Sequence, residues 1–237
     1  SELECGELLK QGRRGRIVRS RSGVGKLRAS RAARRLWLAS HALEIRRIPT
    51  PRSLAFFPAG PGRCWLLIQD VRGSTTRIGD SECELPSLAA SLGRALGRIH
   101  ATGWRCRDPR GDNLRSLQGT ALILDLDGVL PCPRWQRRSA ATADLGRLLA
   151  WARHQAPLCD AEPGLGSRLP RLMRCFLRAY LRERRQLGRR LEGLRSFANA
   201  IQVRSSRWKR RHASDRSGTG VLREDEVLKS PPGCAAG

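Results

Sequence analysis

Asp108, Asn113 and Asp125 flank one short apolar run, and their spacing constrains the fold more than any other feature of the chain. Asp108 and Asn113 stand five apart in a polar stretch over 104–113, and Asp125 follows Asp108 by seventeen residues. The run Ala121–Leu126 is too short for a helix and reads as a buried strand. It ends in Asp125-Leu126-Asp127-Gly128. Ahead of the loop, Leu88, Leu92, Leu96 and Ile99 recur at i, i+4, i+8 and i+11, with Pro86 at the start and Gly103 at the stop. That spacing predicts an amphipathic helix over 85–102. A helix therefore delivers a carboxylate loop, and a strand returns a second carboxylate toward it.

The flanking sequence divides into two unlike halves. Residues 1–29 are polar, Gly- and Arg-rich, with one short apolar pair at Ile17-Val18. Residues 30–47 read as a helix that ends at Ile48-Pro49-Thr50-Pro51, because proline removes a donor and disfavours helix in the residue before it. Leu54–Phe57 and Trp65–Ile68, separated by a Pro/Gly turn at 58–62, predict paired strands. After the 121–126 strand, helices are expected at 139–154 and 168–202, the latter weakened near Gly188. From Ser205 the text is charged, rich in Ser, Gly and Pro, and without period, as disordered segments are. The expectation is an α+β chain in two lobes meeting near residues 70–75: 1–72 strand-containing, 73–204 mainly helical, and 205–237 a disordered basic tail.

Charge narrows the partners. Of 46 basic residues against 21 acidic, only Lys10, Lys26, Lys209 and Lys229 are lysine, and the formal net charge is +25. Such an excess attracts polyanions, including phosphorylated glycolipid or an anionic membrane face. An Arg- and Ala-rich coding bias spread over solvated faces accounts for the same numbers, and both readings stay open. Nucleic-acid binding has charge in its favour but no recognition motif and no interleaved aromatics. The eight cysteines form no C-x-x-C pair, which argues against zinc and against a disulfide framework. No stretch approaches the roughly 20 apolar residues of a membrane span. The start, Ser-Glu-Leu-Glu-Cys, lacks a secretory signal pattern. A cytoplasmic protein, peripheral at most on a membrane, is expected.

The loop and strand end suit phosphoryl transfer, which is mostly positioning and charge neutralisation. Asp108 would orient an attacking hydroxyl and accept its proton. Asn113 and Asp125 would offer hard oxygens to Mg²⁺, which keeps room for phosphates and waters. A catalytic-loop Asp, an Asn five later and a metal-binding Asp at a strand end form the protein-kinase signature. Arg110 stands where protein kinases place a lysine and would contact the transferred group. His100 reads as structural, and Asp127 as a turn residue or a second metal ligand, with the turn favoured. Asp144 either buttresses the loop from the next helix or is an ordinary first-turn acid.

Ser30-Arg31-Ala32-Ala33-Arg34-Arg35-Leu36-Trp37, then Ile48-Pro49-Thr50-Pro51-Arg52, the 99–128 block and Asp144-Leu145-Gly146-Arg147-Leu148 resemble, in that order, the bacterial lipopolysaccharide kinase family. Those enzymes phosphorylate Kdo or heptose sugars of the lipopolysaccharide core and share the protein-kinase-like fold. The resemblance spans about residues 6–185. It implies ATP and Mg²⁺ as cofactors, a lipopolysaccharide-core or other phosphorylated glycolipid acceptor, and a cytoplasmic site facing the inner membrane. In a kinase N-lobe a Gly-rich loop and a strand lysine paired to a helix glutamate hold the ATP phosphates. Gly12 and Gly15 match the end of such a loop, and Lys26 is the lysine between it and the helix. The chain departs from the family around Lys26, where no apolar strand is legible, so a shortened N-lobe lacking about one strand is expected. Arg34, Arg35 and Leu36 stand where the glutamate belongs, Glu44 lies near the helix end, and Cys106 replaces the histidine of His-Arg-Asp. An active sugar kinase and a catalytically impaired kinase-like binding protein both remain open. A protein kinase is the lesser alternative.

Overall fold

The computed structural model describes residues 3, 5–12, 15–71, 76–77, 85–155, 165–188 and 197–207. Its first half is a five-stranded antiparallel sheet of β1 (Glu7–Gly12), β2 (Gly15–Ser20), β3 (Gly23–Ala29), β4 (Ser53–Pro58) and β5 (Arg63–Ile68), in the order β1-β2-β3-β5-β4. Helix α1 (Ser30–Ile45) connects β3 to β4 and buries Ala33, Leu36, Ala39 and Leu43. Strands β4 and β5 coincide with the two apolar runs, and β4 alternates in burial along its length as a half-covered strand should.

The expectation of a missing strand around Lys26 is not met, because Lys26 lies in β3, paired with Ile17 on one side and Leu66 on the other. The strand escapes sequence reading because charge interrupts it. Arg16, Arg19, Lys26 and Arg28 occupy β2 and β3 among Gly and a few aliphatics, so no apolar run forms. Gly15 and Gly23 open β2 and β3 at φ 132° and 143°, values that glycine adopts without the Cβ clash of other residues.

The second half is built on α2 (Leu85–Ala101) and α4 (Leu165–Gln186), which pack along their lengths, with α3 (Arg137–Gln155) and a helix over 197–207 beside them. Gly103, at φ 87°, ends the α2 segment as expected. Short strands carry the loop region: β6 (Thr76–Arg77), β7 (Trp104–Cys106), β8 (Leu114–Leu117), β9 (Thr120–Ile123) and β10 (Val129–Pro131). They pair as β6-β8-β9 and β10-β7. One continuous core joins the halves, with Leu36, Leu43 and Leu66 in the same cluster as Leu96, Ile99, Ile123, Leu145 and Tyr180. The α4 segment breaks at Gly188, φ 69°, as expected. The last described helix runs through 207 and buries Ser205, so the fold extends slightly past the anticipated boundary. The tail expected to be disordered lies, from 208, outside the described residues. Among the described residues no helix is long and apolar enough to cross a membrane.

Two buried details test this packing. A Cβ at Gly97 would stand 2.8 Å from the Tyr180 carbonyl oxygen, and one at Gly93 would collide with the Phe176 backbone. Gly93→Ala is expected to cost about 1–3 kcal/mol by overpacking, read as a lower urea midpoint at unchanged slope. Tyr180, the only tyrosine in the chain, stacks between Phe176 and Phe197 and holds His100 Nδ1 at 2.9 Å. Burial pushes its phenol up to about 12, against a partial lowering by Arg184. The raised value means its contribution to stability is whole below pH ~10 and is lost as pH climbs toward 12. Absorbance of tyrosinate should therefore be absent from the native protein at pH ~10 while the guanidinium-unfolded chain is half titrated.

Candidate active site

The loop after α2 is held by a carboxylate beneath it. Asp144, on α3 and fully buried, accepts the Cys106 backbone N–H at 2.8 Å and the guanidinium groups of Arg105 and Arg147 at 3.0 Å each. His100 Nε2 lies 3.4 Å away, an electrostatic contact rather than a hydrogen bond. Arg147 also donates to the Arg107 carbonyl at 3.0 Å, and Arg107 N–H donates to Gly128 O at 2.9 Å. Of the two readings of Asp144, the buttress describes what it touches, and His100 is structural.

The loop presents Asp108 with both oxygens engaged. Arg110 Nε donates to one at 2.6 Å and Nη2 to the other at 2.8 Å, while Asn113 Nδ2 donates to the Asp108 carbonyl and carboxylate at 3.0 and 3.1 Å. Leu124 N–H donates to the Asn113 carbonyl at 2.8 Å, tying the loop to the end of β9. Asp125 follows, and accepts the Asp127 N–H at 3.2 Å across a 3₁₀ turn over Leu126–Gly128.

Two ion pairs, each spanning 99 residues of sequence, bring β3 onto that turn. Lys26 Nζ is 3.3 Å from Asp125, and Arg28 Nη2 is 3.4 Å from Asp127. Residues i and i+2 of a strand share a face, so two cations on β3 meet two carboxylates likewise two apart. Asp127 is thus more than a turn residue. Glu44 is not the partner of Lys26, for it faces Arg52 at 3.4 Å and His41 at 3.7 Å near the end of α1.

A cavity of about 580 Å³ opens between the halves. Gly12, Gly15, Lys26, Asn113 and Asp125 line it together with Ile17, Val24, Pro51, Ile68 and Leu124, so its wall combines apolar and charged side chains. Asp108 lines a second cavity of about 630 Å³ that shares Arg28, Asp125 and Asp127 with the first. Arg110 stands on Asp108. Sequence reading missed Arg28, which lines both cavities. Its signal, the position two after Lys26, is visible only once β3 is recognised as a strand.

This architecture, a strand-rich half and a helical half around one cleft, is a kinase-like two-lobed fold. The sequence matches no protein-family model and no curated protein sequence. Among solved structures the chain is similar to one described as "WaaP in complex with acyl carrier protein", with a TM-score of 0.59 and 18% identity over 89% of this chain and 88% of that one. A likeness at that identity establishes the fold.

Burial drives the Cys106 thiol far above the ordinary thiol range, and the nearby Asp144 carboxylate raises it further. A thiol that stays protonated is a poor nucleophile. Native protein treated with iodoacetamide at pH ~8.5, where a free thiol is half ionised, should be modified at the exposed Cys5 and spared at Cys106. Peptide mapping checks this, and denaturant should abolish the difference.

Proposed function

We propose that the chain is an ATP-dependent phosphotransferase of the lipopolysaccharide-core sugar kinase type, transferring a phosphoryl group to a sugar hydroxyl at the cytoplasmic face of a membrane. The observation that carries this reading is the convergence of Gly12, Gly15, Lys26, Asn113 and Asp125 on one cleft, with Asp108 in the adjoining cavity. The order of sequence blocks shared with that kinase family supports the acceptor class.

The residues present fit a metal–nucleotide complex. The first cavity offers apolar side chains for a base, Gly12 and Gly15 paired at the ends of β1 and β2 where no side chain keeps backbone from phosphates, and oxygen donors in Asn113 and Asp125. Asn113 turns its amide nitrogen to Asp108, which leaves the amide oxygen for a cation beside Asp125. Lys26 is the cation available to phosphate oxygens. Bound Mg²⁺ and ATP would supply the phosphoryl group and neutralise its charge. Asp108 orients the acceptor hydroxyl and receives its proton, and Arg110 fixes the carboxylate by holding both oxygens.

One observation favours the second reading, a kinase-like binding protein without turnover. Lys26 pairs with Asp125, a candidate metal ligand, instead of with a helix glutamate. Mg²⁺-dependent ATP binding, followed by thermal shift, separates the two. Ligand at a hundredfold excess over Kd adds about 2.7 kcal/mol, or roughly 5–10 °C for a chain of this size. That shift should require Mg²⁺ and vanish in Asp125→Asn. No shift, or one that survives the substitution, overturns the phosphotransferase reading. ATP consumption with a Kdo- or heptose-containing acceptor then tests the acceptor class.

A further inference from the structure

The cavity that holds Asp108 is richer in arginine than transfer of a neutral hydroxyl requires. Arg28, Arg35, Arg107 and Arg147 line it alongside Asp108, Asp125 and Asp127. Each of those carboxylates already has a basic partner, respectively Arg110, Lys26 and Arg28, and Arg147 is spent on Asp144 and the Arg107 carbonyl. Arg35, from α1, and Arg107, from the catalytic loop, carry no ion pair among the described residues, and both are exposed. Arg28 adds an independent sign. Its side chain is 8% exposed, and while Nη1 and Nη2 are engaged, its buried Nε has no hydrogen-bond partner. A buried donor left unmade is costly, so a ligand that accepts from it gains more than a surface contact would.

We propose that this cavity is an oxyanion site for the acceptor, and that Arg28, Arg35 and Arg107 together hold a phosphate monoester carried by the acceptor near its reacting hydroxyl. The inference rests on the phosphotransferase reading and deepens it by naming a charged group on the acceptor. Three features make the site a built one. The arginines come from β3, α1 and the catalytic loop, so they converge only in the folded chain. Guanidinium groups present forked donors that match phosphate oxygens. The connection from Gly128 to α3 is short, residues 129–136, and its Leu130 lines the cavity beside the arginines. The anion would lie in the same cavity as Asp108, which places its sugar within reach of the base.

Binding of glucose 6-phosphate, a soluble phosphate monoester, is measured by calorimetry on the full chain at ~150 mM salt, where diffuse attraction is screened. Vesicles containing phosphatidic acid provide the lipid-borne source of the same group. Each titration is run with and without Mg²⁺ and a non-hydrolysable ATP analogue. Saturable binding should persist with the analogue bound and weaken at least tenfold in Arg35→Glu and in Arg107→Ala, whose side chains are exposed and leave the core intact. Binding of the sugar phosphate assigns a soluble source, and binding of vesicles alone, equally sensitive to Arg35→Glu, assigns a lipid headgroup. Absence of binding in both arms, displacement by the analogue, or affinity within twofold of the parent in both variants overturns the proposal. The analogue's own binding reports the nucleotide cleft separately. An anion site that fails while the analogue binds sinks this inference alone, and an analogue that fails to bind sinks the phosphotransferase reading.

Discussion

The two ion pairs from β3 to the 125–127 turn are the constraint on which the cleft depends. Together with the bonds of Ile123 to Pro49 and Thr50, they join a sheet assembled from the first 68 residues to a loop region assembled after residue 104. Their net contribution to stability is modest, because taking charges out of water offsets most of the attraction. Their contribution to geometry is larger. Removing one partner of a buried pair strands the other charge, at a cost of about 3–5 kcal/mol. The Arg28–Asp127 pair, 8% and 18% exposed, is the nearer of the two to that regime. Because the cations sit two apart on a strand and the carboxylates two apart on a tight turn, a slip of β3 by one residue would break both pairs at once. The register of the sheet therefore sets the shape of the cavity.

Below the cleft, Asp144 performs a related task for the loop itself. A fully buried carboxylate is tolerable only when its lone pairs are met. Here the Cys106 N–H, Arg105 and Arg147 meet them, and each belongs to the loop or to the helix carrying the acid. The loop's path from β7 to Asp108 is thus defined from underneath by one charge. Asn113 and Leu124 define it from the other side, through the bonds from Asn113 to Asp108 and from Leu124 to Asn113. Asp108 itself stays partly exposed on this rigid support. Replacement of the histidine of His-Arg-Asp by Cys106 fits the same support. That side chain is buried and its backbone N–H, not its side chain, makes the contact with Asp144.

Elements with strong apolar period were legible, among them α1, α2, β4 and β5. So were the loop and strand-end residues, whose spacing follows from covalent reach along a single stretch of chain. What escaped was the β1–β3 side of the first sheet. Val18 and Val24 are buried, yet the residues between them are Arg, Ser and Gly and only Ile17 extends the apolar text, so neither alternation nor an apolar run marks a strand. The cause lies in the cleft: β3 bears Lys26 and Arg28 on the face that meets it, and a strand that lines a charged cleft cannot advertise itself by hydrophobicity. Arg28 was lost with the strand, and the presence of Arg35 and Arg107 in one cavity could not be read because α1 and the loop are some seventy residues apart.

The absence of an acid in the middle of α1 changes how charge is balanced in the cleft. Among the described residues Lys26 has one carboxylate within ion-pair distance, Asp125, where a kinase lobe supplies a second on the helix. On the phosphotransferase reading Lys26 and Asp125 must part when a nucleotide and its metal arrive, the ammonium turning to phosphate and the carboxylate to the cation. Each group trades one opposite charge for another, so the exchange costs little electrostatically while the cleft stays desolvated. It also means the empty cleft is neutralised by itself, with no reliance on helix position. On the same reading the Arg28–Asp127 pair is the second tether, since the metal and the phosphates are assigned to Asp125, Asn113 and Lys26. On that reading the sheet keeps one tether to the turn while the other opens, and α1 carries the exposed Arg35 at the second cavity where other lobes of this kind carry an acid inward.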